Sequence, residues 1–417
     1  MAHGGAALGR TEDGQVAFVD DALPGELVEA EVVSERKRFL RGRAVHVTRG
    51  APGRRQPPCP YVPVCGGCQL QHADYATQVE LKRQVLADTL RHSGAVVPQA
   101  HVVPAESPLR YRIRGEFHMV KDGDGRAALG FTRRRSWSLV PVDDCLIHHH
   151  HLTDALPGIR AALAETGPGR MRTLHLTCTP DARELLWQAR GGPAPDTLQA
   201  ALTDALPGYL VHQDSLTLTY RGAALDGRPG DLMFRLDSDA FVQVNHVQAH
   251  HLYSRALQYL GDRPGRLVEG YAGFGAISVM ASTRPDPAAR PSSLVLIEES
   301  RASTILGRLH LRLHEVEAPW RWLPARVEDA LGDVAPGEAD SLVVDPPRAG
   351  LGAEVVERIG KLGPGRIVYV SCDPATLGRD LALLQAAGYG VDDLTLVDMF
   401  PQTYHIETVS LLTRMGR

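Results

Sequence analysis

The second half of the chain alternates short apolar runs with stretches of helical period. Strand Arg266–Tyr271 is followed by a helix through Met280, strand Leu294–Glu298, helix Ser300–Leu313 and strand Ser341–Val344. Helix Ala353–Leu362, the apolar run Ile367–Val370, helix Leu377–Ala387 and the strands Asp393–Met399 and Ile406–Thr413 close the chain. Such alternation predicts an α/β fold with a doubly wound, mostly parallel sheet. Phe400–His405 is too short for a crossover, so the last two strands should pair antiparallel. Upstream, FRLDSDAFVQVN reads as a strand leading into a helix near Val247, with Gln243 and Asn245 as polar residues in an apolar strand.

The first half has a different pattern. Gln15–Val19 and Leu27–Val33 alternate as strands around a turn-rich connector, Asp20–Gly25. Ser34–Val47 then places basic residues around Phe39 ahead of another strand. A five-stranded barrel of OB type would bind polynucleotide through such a surface, and a solvated charged face explains it as well. Tyr75–His92 has helical period and stops near Gly94. From about 100 to 230 the pattern is α+β, with helices Leu156–Ala164 and Thr197–Leu206 and connectors near 191–195 and 222–230. The expected division is 1–55, a small β domain; 56–230, a central domain; and 231–417, the doubly wound domain, on which helix 75–92 packs.

Composition narrows the class. Of 417 residues, 43% are hydrophobic and 23% charged, as in a soluble globular protein. No apolar run approaches the ~20 residues of a membrane span, and MAHGGAALGR has no signal-peptide core, so a cytoplasmic protein is expected. The net charge of −4 argues mildly against nucleic acid, but local basic patches counter it. Arg110, Arg112 and Arg114 alternate along one predicted strand, and Arg133, Arg134 and Arg135 sit beside Trp137. Either patch suits phosphate contact and base stacking, or is a solvated face.

Cys59, Cys65 and Cys68 follow C-x5-C-x2-C in a Pro- and Gly-rich segment, and Gly66 and Gly67 allow the tight folding that aims sulfurs at one point. Structural zinc and an iron–sulfur cluster compete for this set, with Cys145 as the fourth ligand. Cys178, inside LHLTCT, reads as core. His148–His151 offer a zinc alternative, but four adjacent histidines cannot all face one metal, and a surface role is expected.

Further constellations follow the strands of the second half. EGYAGFG (269–275) is a glycine-rich strand-to-helix turn with Gly273 and Gly275, spaced G-x-x-G-x-G and not as in pyrophosphate sites. Glu298 ends the next strand, where a carboxylate holds ribose hydroxyls or merely faces solvent. Asp345 opens a D-P-P-R loop after another apolar strand. Cys372, in SCDP, stands where Pro374 stops a strand, and is a nucleophile or a core thiol. Glu407 lies just inside the last strand as a candidate general base, with His405 on the same face, or the two form a surface pair.

Together these residues resemble the RNA uracil-5-methyltransferases, in particular the iron–sulfur, TRAM-domain branch that modifies 23S ribosomal RNA. The resemblance spans nearly the whole chain. It implies a class I methyltransferase sheet, an N-terminal OB-like TRAM barrel and a central iron–sulfur domain. It implies S-adenosyl-L-methionine held by Gln243, Tyr271, Gly273, Gly275, Glu298 and Asp345, and a 4Fe-4S cluster on Cys59, Cys65, Cys68 and Cys145. Cys372 matches the family's nucleophile and Glu407 its base, in a monomer acting on RNA. Glu269 and Ala272 depart from the family's D-x-Y/F-C-G-x-G loop, and the chain opens where the first TRAM strand is already under way. Transfer RNA is the alternative substrate, and a non-catalytic iron–sulfur RNA-binding protein the alternative class. A radical mechanism is disfavoured because the spacing is not C-x3-C-x2-C.

Overall fold

The computed structural model describes residues 1–62, 64–121, 123–125, 127–226, 230–237 and 239–416. It forms two compact units: Met1–Val85, Glu106–Asp214 and Phe400–His405 in the first, and Leu86–Ala105, Ser215–Met399 and Ile406–Arg417 in the second. The division falls inside helix Tyr75–Ser93, whose bounds match the predicted helix within a residue.

In the first unit, strands β1 (Ala7–Arg10), β2 (Val16–Asp20), β3 (Leu27–Arg36) and β4 (Phe39–Arg49) form a sheet of order β1-β2-β4-β3. Four strands pair among the described residues where the sequence led us to expect five. Only β2 and β4 run parallel, and three register shifts along β3–β4 bend that hairpin. Strand β5 (His101–Val103) belongs to the second unit. A further sheet of the first unit joins β6 (Arg114–Lys121), β7 (Ala127–Thr132), β8 (Leu139–Pro141), β9 (Thr173–Cys178), β10 (Glu184–Arg190) and β11 (Leu210–His212) in the order β11-β10-β9-β6-β7-β8. Helices Leu156–Thr166 and Leu198–Ala205 bury Leu156, Ile159, Leu163, Leu198 and Leu202, the apolar faces their period predicts. Cys178 is fully buried, as expected of core.

The predicted arginine strand does not form. Strand β6 starts only at Arg114, because Arg110 takes a left-handed backbone (φ 57°) that breaks the extended run. Arg110 is instead paired with Asp144 at 2.6 Å.

The longest segment of the second unit starts with the antiparallel pair β12 (Ser215–Tyr220) and β13 (Leu232–Asp237). Gly222–Leu225 is a helical turn, and residues 227–229 of the expected connector lie outside the described residues. FVQVN is not a strand. The Asp237 carboxylate accepts from the amides of Asp239 and Ala240, turning the chain out of the ladder, and Asn245 caps helix His246–Leu260.

The main sheet contains β14 (Arg266–Gly270), β15 (Ser293–Ile297), β16 (Trp320–Leu323), β17 (Ser341–Val344), β18 (Arg366–Ser371), β19 (Tyr389–Val397) and β20 (Glu407–Arg414) in the order β16-β15-β14-β17-β18-β20-β19-β5. Strands β14 to β18 are parallel, while β20 is antiparallel to both β18 and β19. The unbroken apolar runs of β17 and β18 are explained by burial on both faces. The chain winds outward from β14 through β15 to β16, then returns to β17. This reversal opens a crevice at the carboxyl ends of β14 and β17, where ligands bind in such sheets.

Candidate active site

Five candidate residues stand along one edge of this sheet in strand order. Glu298 follows β15, Tyr271 follows β14, Asp345 follows β17 and Cys372 follows β18. Because β20 runs the opposite way, its first residue, Glu407, reaches the same edge. Ser371 pairs with Thr408, so Cys372 and Glu407 come next in register, directly opposite each other. The Thr408 hydroxyl donates to the Ser371 carbonyl at 3.2 Å and fixes that register.

Asp373 holds Cys372 in place from the next position. Its carboxylate accepts from the amides of Ala375 and Thr376 and caps helix Pro374–Ala386. Pro374 fills the first helical position, where its missing N–H costs nothing. Burial pushes the Cys372 thiol up to about 12, with Glu407 and Asp345 adding to the rise and Arg348 opposing it.

The carboxylates are themselves perturbed. Glu407 is 4% exposed, and burial holds its pKa well above the ordinary value, with Asp345 adding and Arg348 subtracting. Burial raises Asp345 to about 7. Its carboxylate receives no hydrogen bond from the described residues, so it keeps full accepting capacity. Arg348, directly after the two prolines, is a cation that opposes the rises at Cys372 and Glu407, and its role was not read from D-P-P-R. His405 does not share the strand face expected of it, since β20 begins at Glu407 and His405 stacks on Tyr404 at 4.3 Å.

The glycine-rich turn sits at the switch point. Tyr271 holds φ 58°, an unfavourable conformation for an aromatic residue and a form of strain found at binding turns. Gly273 (φ 54°) and Gly275 (φ 75°) continue the left-handed path, and a Cβ on Gly275 would press within 3.1 Å of Leu296. The Gly273 amide donates to Glu298 at 2.9 Å and the Ser300 amide at 2.7 Å, which orients the carboxylate across the turn and leaves lone pairs for hydroxyl donors. Glu269 is buried, pushed up to about 7 and bonded to the Ser278 amide at 3.0 Å, so it braces the following helix. Gln243 is buried and makes no hydrogen bond within the described residues, whereas Asn245 satisfies nearby backbone by donating to Met399 at 3.1 Å. A donor set of one oriented carboxylate, one unpaired carboxylate and one unpaired amide fits the ribose, amine and carboxylate groups of an adenosyl amino acid.

Cys59, Cys65, Cys68 and Cys145 line one cavity of about 170 Å³ in the first unit. Cys65 bridges to Arg133, the Gly66 amide donates to Thr132 at 3.0 Å, and Arg134 donates to the Cys68 carbonyl at 3.0 Å. Cys145 is reached by Arg110, which donates to its carbonyl at 3.1 Å. Burial, then the neighbouring thiols, push Cys68 up to about 12; burial likewise raises Cys145 to about 11, and Cys65 shifts the same way. His148, expected at the surface, is buried against Phe117 and Phe131 and lines this cavity.

A second, wider cavity of the first unit, about 690 Å³, is lined by Arg41, Arg133, Arg134, Arg135, Trp137 and Tyr404 among others. Arg134 and Arg135 are paired with Asp21 and Asp20, while Trp137 is 97% exposed.

Comparison with known proteins decides the family. The sequence pattern described as tRNA (Uracil-5-)-methyltransferase matches residues 331–415, and the TRAM domain pattern matches residues 2–45. The 23S rRNA (uracil(1939)-C(5))-methyltransferase RlmD of Chromohalobacter salexigens is 33% identical over 442 residues, covering 99% of this chain and 88% of that protein. An uncharacterised RNA methyltransferase of Caldanaerobacter subterraneus subsp. tengcongensis is 32% identical over 444 residues, covering 100% and 96%. The chain belongs to the RNA uracil-5-methyltransferases. The Pyrococcus abyssi tRNA (uracil-54, C5)-methyltransferase, solved with S-adenosyl-L-homocysteine, shares the fold at TM-score 0.72 and 24% identity, covering 99% of each chain. This family membership carries a class I S-adenosylmethionine-dependent methyltransferase fold with an N-terminal TRAM domain. Among the described residues, no helix is long and apolar enough to cross a membrane.

Sequence reading missed the residues that hold the Phe400–His405 segment within the first unit. Buried Gln402 (φ 69°) accepts through its backbone carbonyl from the Gln69 and Leu70 amides, and its own amide donates to the Gln78 side chain at 2.9 Å. Lys82, 1% exposed, donates to the Phe400 carbonyl at 2.9 Å. The available signal was a Lys and a Gln on the apolar stripe of a predicted helix, which is costly unless partnered.

Proposed function

We propose that the protein methylates carbon 5 of a specific uridine in RNA, with 23S ribosomal RNA the target, through a covalent bond between Cys372 and carbon 6 of the uracil. The observation that carries this reading is the cross-strand pairing of Cys372 with Glu407 beside a switch-point turn. S-adenosylmethionine, held by Gln243, Tyr271, Gly273, Gly275, Glu298 and Asp345, supplies an electrophilic methyl group. Cys372 adds to carbon 6, which makes carbon 5 nucleophilic. After methylation Glu407 takes the carbon 5 proton, and the Cys372 thiolate is expelled. The raised pKa of Glu407 suits a base that receives a proton and must then release it. Burial favours the neutral thiol of Cys372 at rest, so the bound uridine is assigned its activation, and the uridine must leave its stack to reach it.

In this reading the cysteine cavity holds a 4Fe-4S cluster: Cys59, Cys65, Cys68 and Cys145 all line it, and four thiolates give one ligand to each metal corner. The cluster would shape the central domain of residues 56–230, between the TRAM unit of 1–55 and the catalytic domain of 231–417. The arginine- and Trp137-lined cavity suits RNA docking, since an exposed indole beside guanidinium groups stacks bases and meets phosphates. The working protein is a cytoplasmic monomer in this reading.

Mapping of 5-methyluridine in ribosomal and transfer RNA, from cells with and without the protein, tests the proposal. One 23S site should disappear in its absence; loss confined to transfer RNA would reassign the substrate, and no loss would leave an RNA-binding protein without turnover. Iron and sulfide analysis after anaerobic purification tests the cluster, which one zinc with no sulfide would refute.

A further inference from the structure

The four-histidine run divides between two environments. His148 turns into the cysteine cavity, but the next three side chains gather outside it. His149 has an extended backbone (φ −56°, ψ 145°) and precedes the short helix His150–Thr153, so successive side chains do not fan out as they would inside a helix. Their rings lie 4.1, 4.3 and 4.7 Å apart, and one nitrogen of each falls within 4.8 Å of the others.

The arrangement favours metal over protons. His151 Nδ1 lies 2.9 Å from the Thr179 carbonyl and must donate to it, which leaves its Nε2 lone pair free. A ring nitrogen tied to a backbone carbonyl is the usual support of a metal-bound imidazole. His150 is exposed and free to turn inward, and the His149 cap to the His151 amide is long at 3.3 Å, so a cation can replace it. Burial, and then the neighbouring rings, hold His149 down at about 4 and lower His150 in the same direction. The Asp154 and Asp181 carboxylates act on the group and supply negative charge, partly countered by Arg183, which lies 4.0 Å from Asp154.

We propose that His149, His150 and His151 form a binding site for one borderline divalent cation of the Zn2+ and Ni2+ class, separate from the cysteine cavity and from the methyl-transfer site. Three neutral imidazoles are the donor set such ions prefer, with further positions open to water. Bound there, the ion would tie the turn at 149–151 to the end of β9 through the His151–Thr179 bond.

The test is titration of the full-length, anaerobically purified protein with Co2+, whose visible spectrum reports its ligands. One equivalent should bind with ligand-field bands of nitrogen and oxygen donors and no intense thiolate-to-metal absorption. His150→Ala removes an exposed side chain, so folding is retained, and it should weaken binding at least about tenfold. His212→Ala, on β11, should leave binding unchanged. At the same Zn2+ concentration the melting temperature of the wild type should rise further than that of His150→Ala. Equal Co2+ affinity in the wild type and His150→Ala, no bound equivalent, or a spectrum accounted for by thiolate alone would each overturn the site.

Discussion

Cys372, Cys68 and Cys145 are all pushed toward the neutral thiol by burial, yet their neighbours differ in kind. Cys372 faces two carboxylic acids and one guanidinium group, and the acids oppose the charge that a thiolate would add. Cys68 and Cys145 face other thiols, whose ionisation each opposes, and their carbonyls are held by Arg134 and Arg110. A set of mutually opposing thiols becomes favourable only around a shared cation. A thiol among carboxylates stays protonated until a substrate takes its charge. The local charge set, and not the residue type, separates a ligand from a nucleophile.

The sharpest way to break this contrast is Cys372→Ser. It should reduce turnover by about 10⁴ or more and abolish the covalent adduct with RNA containing 5-fluorouridine, while iron and sulfide content stays unchanged. Turnover close to wild type would remove Cys372 from the chemistry. Next in size is Glu407→Gln, which should lower kcat by about 10²–10⁴. Denaturing gels should show the protein–RNA adduct accumulating, because the thiolate cannot leave until the carbon 5 proton is gone. A slow variant with no adduct would place Glu407 before the covalent step.

Cys68→Ser should release iron and sulfide and lower the melting temperature, yet leave the rate of Cys372 alkylation by iodoacetamide within about twofold, since the two thiol environments share no charged neighbour. The smallest effect concerns pH. The folded-state pKa of Glu407 lies above its ordinary value of 4.5, so its contribution to stability is complete below that value. It is lost as pH rises through the folded pKa. Glu407→Gln should therefore melt roughly 2 °C above wild type at pH 8 and level with it near pH 4. A gap that is the same at both pH values would show that the carboxylate is not held protonated.

The main sheet was legible because β14, β15, β17 and β18 are apolar runs punctuated by glycine, proline and acidic residues at their ends. Short strands without such a run were not: β5 has three residues, and β16 reads WRWL, with a charge in its middle. FVQVN looked like a strand because its composition is apolar, but the turn made by Asp237 decided otherwise. The candidate residues of the active site could be named because each ends a strand. Their electrostatic partners could not, since the pairing of Cys372 with Glu407 depends on an antiparallel register that joins positions 35 residues apart. The basic patches misled for the same reason: Arg110, Arg134 and Arg135 look like free cations in sequence and are ion-paired in the fold.

The Phe400–His405 segment belongs to the first unit although the strands on either side of it belong to the second, and Leu86–Ala105 makes the reverse exchange. Such a chain cannot be handled as separable modules. A fragment beginning near residue 231 would lose β5 from its sheet edge, and it would leave Gln402 without Gln78 and Phe400 without Lys82 just before the strand that starts with Glu407. Grafting this catalytic half onto a different RNA-targeting module would accordingly fail unless helix Tyr75–Ser93 and the β5 segment travelled with it.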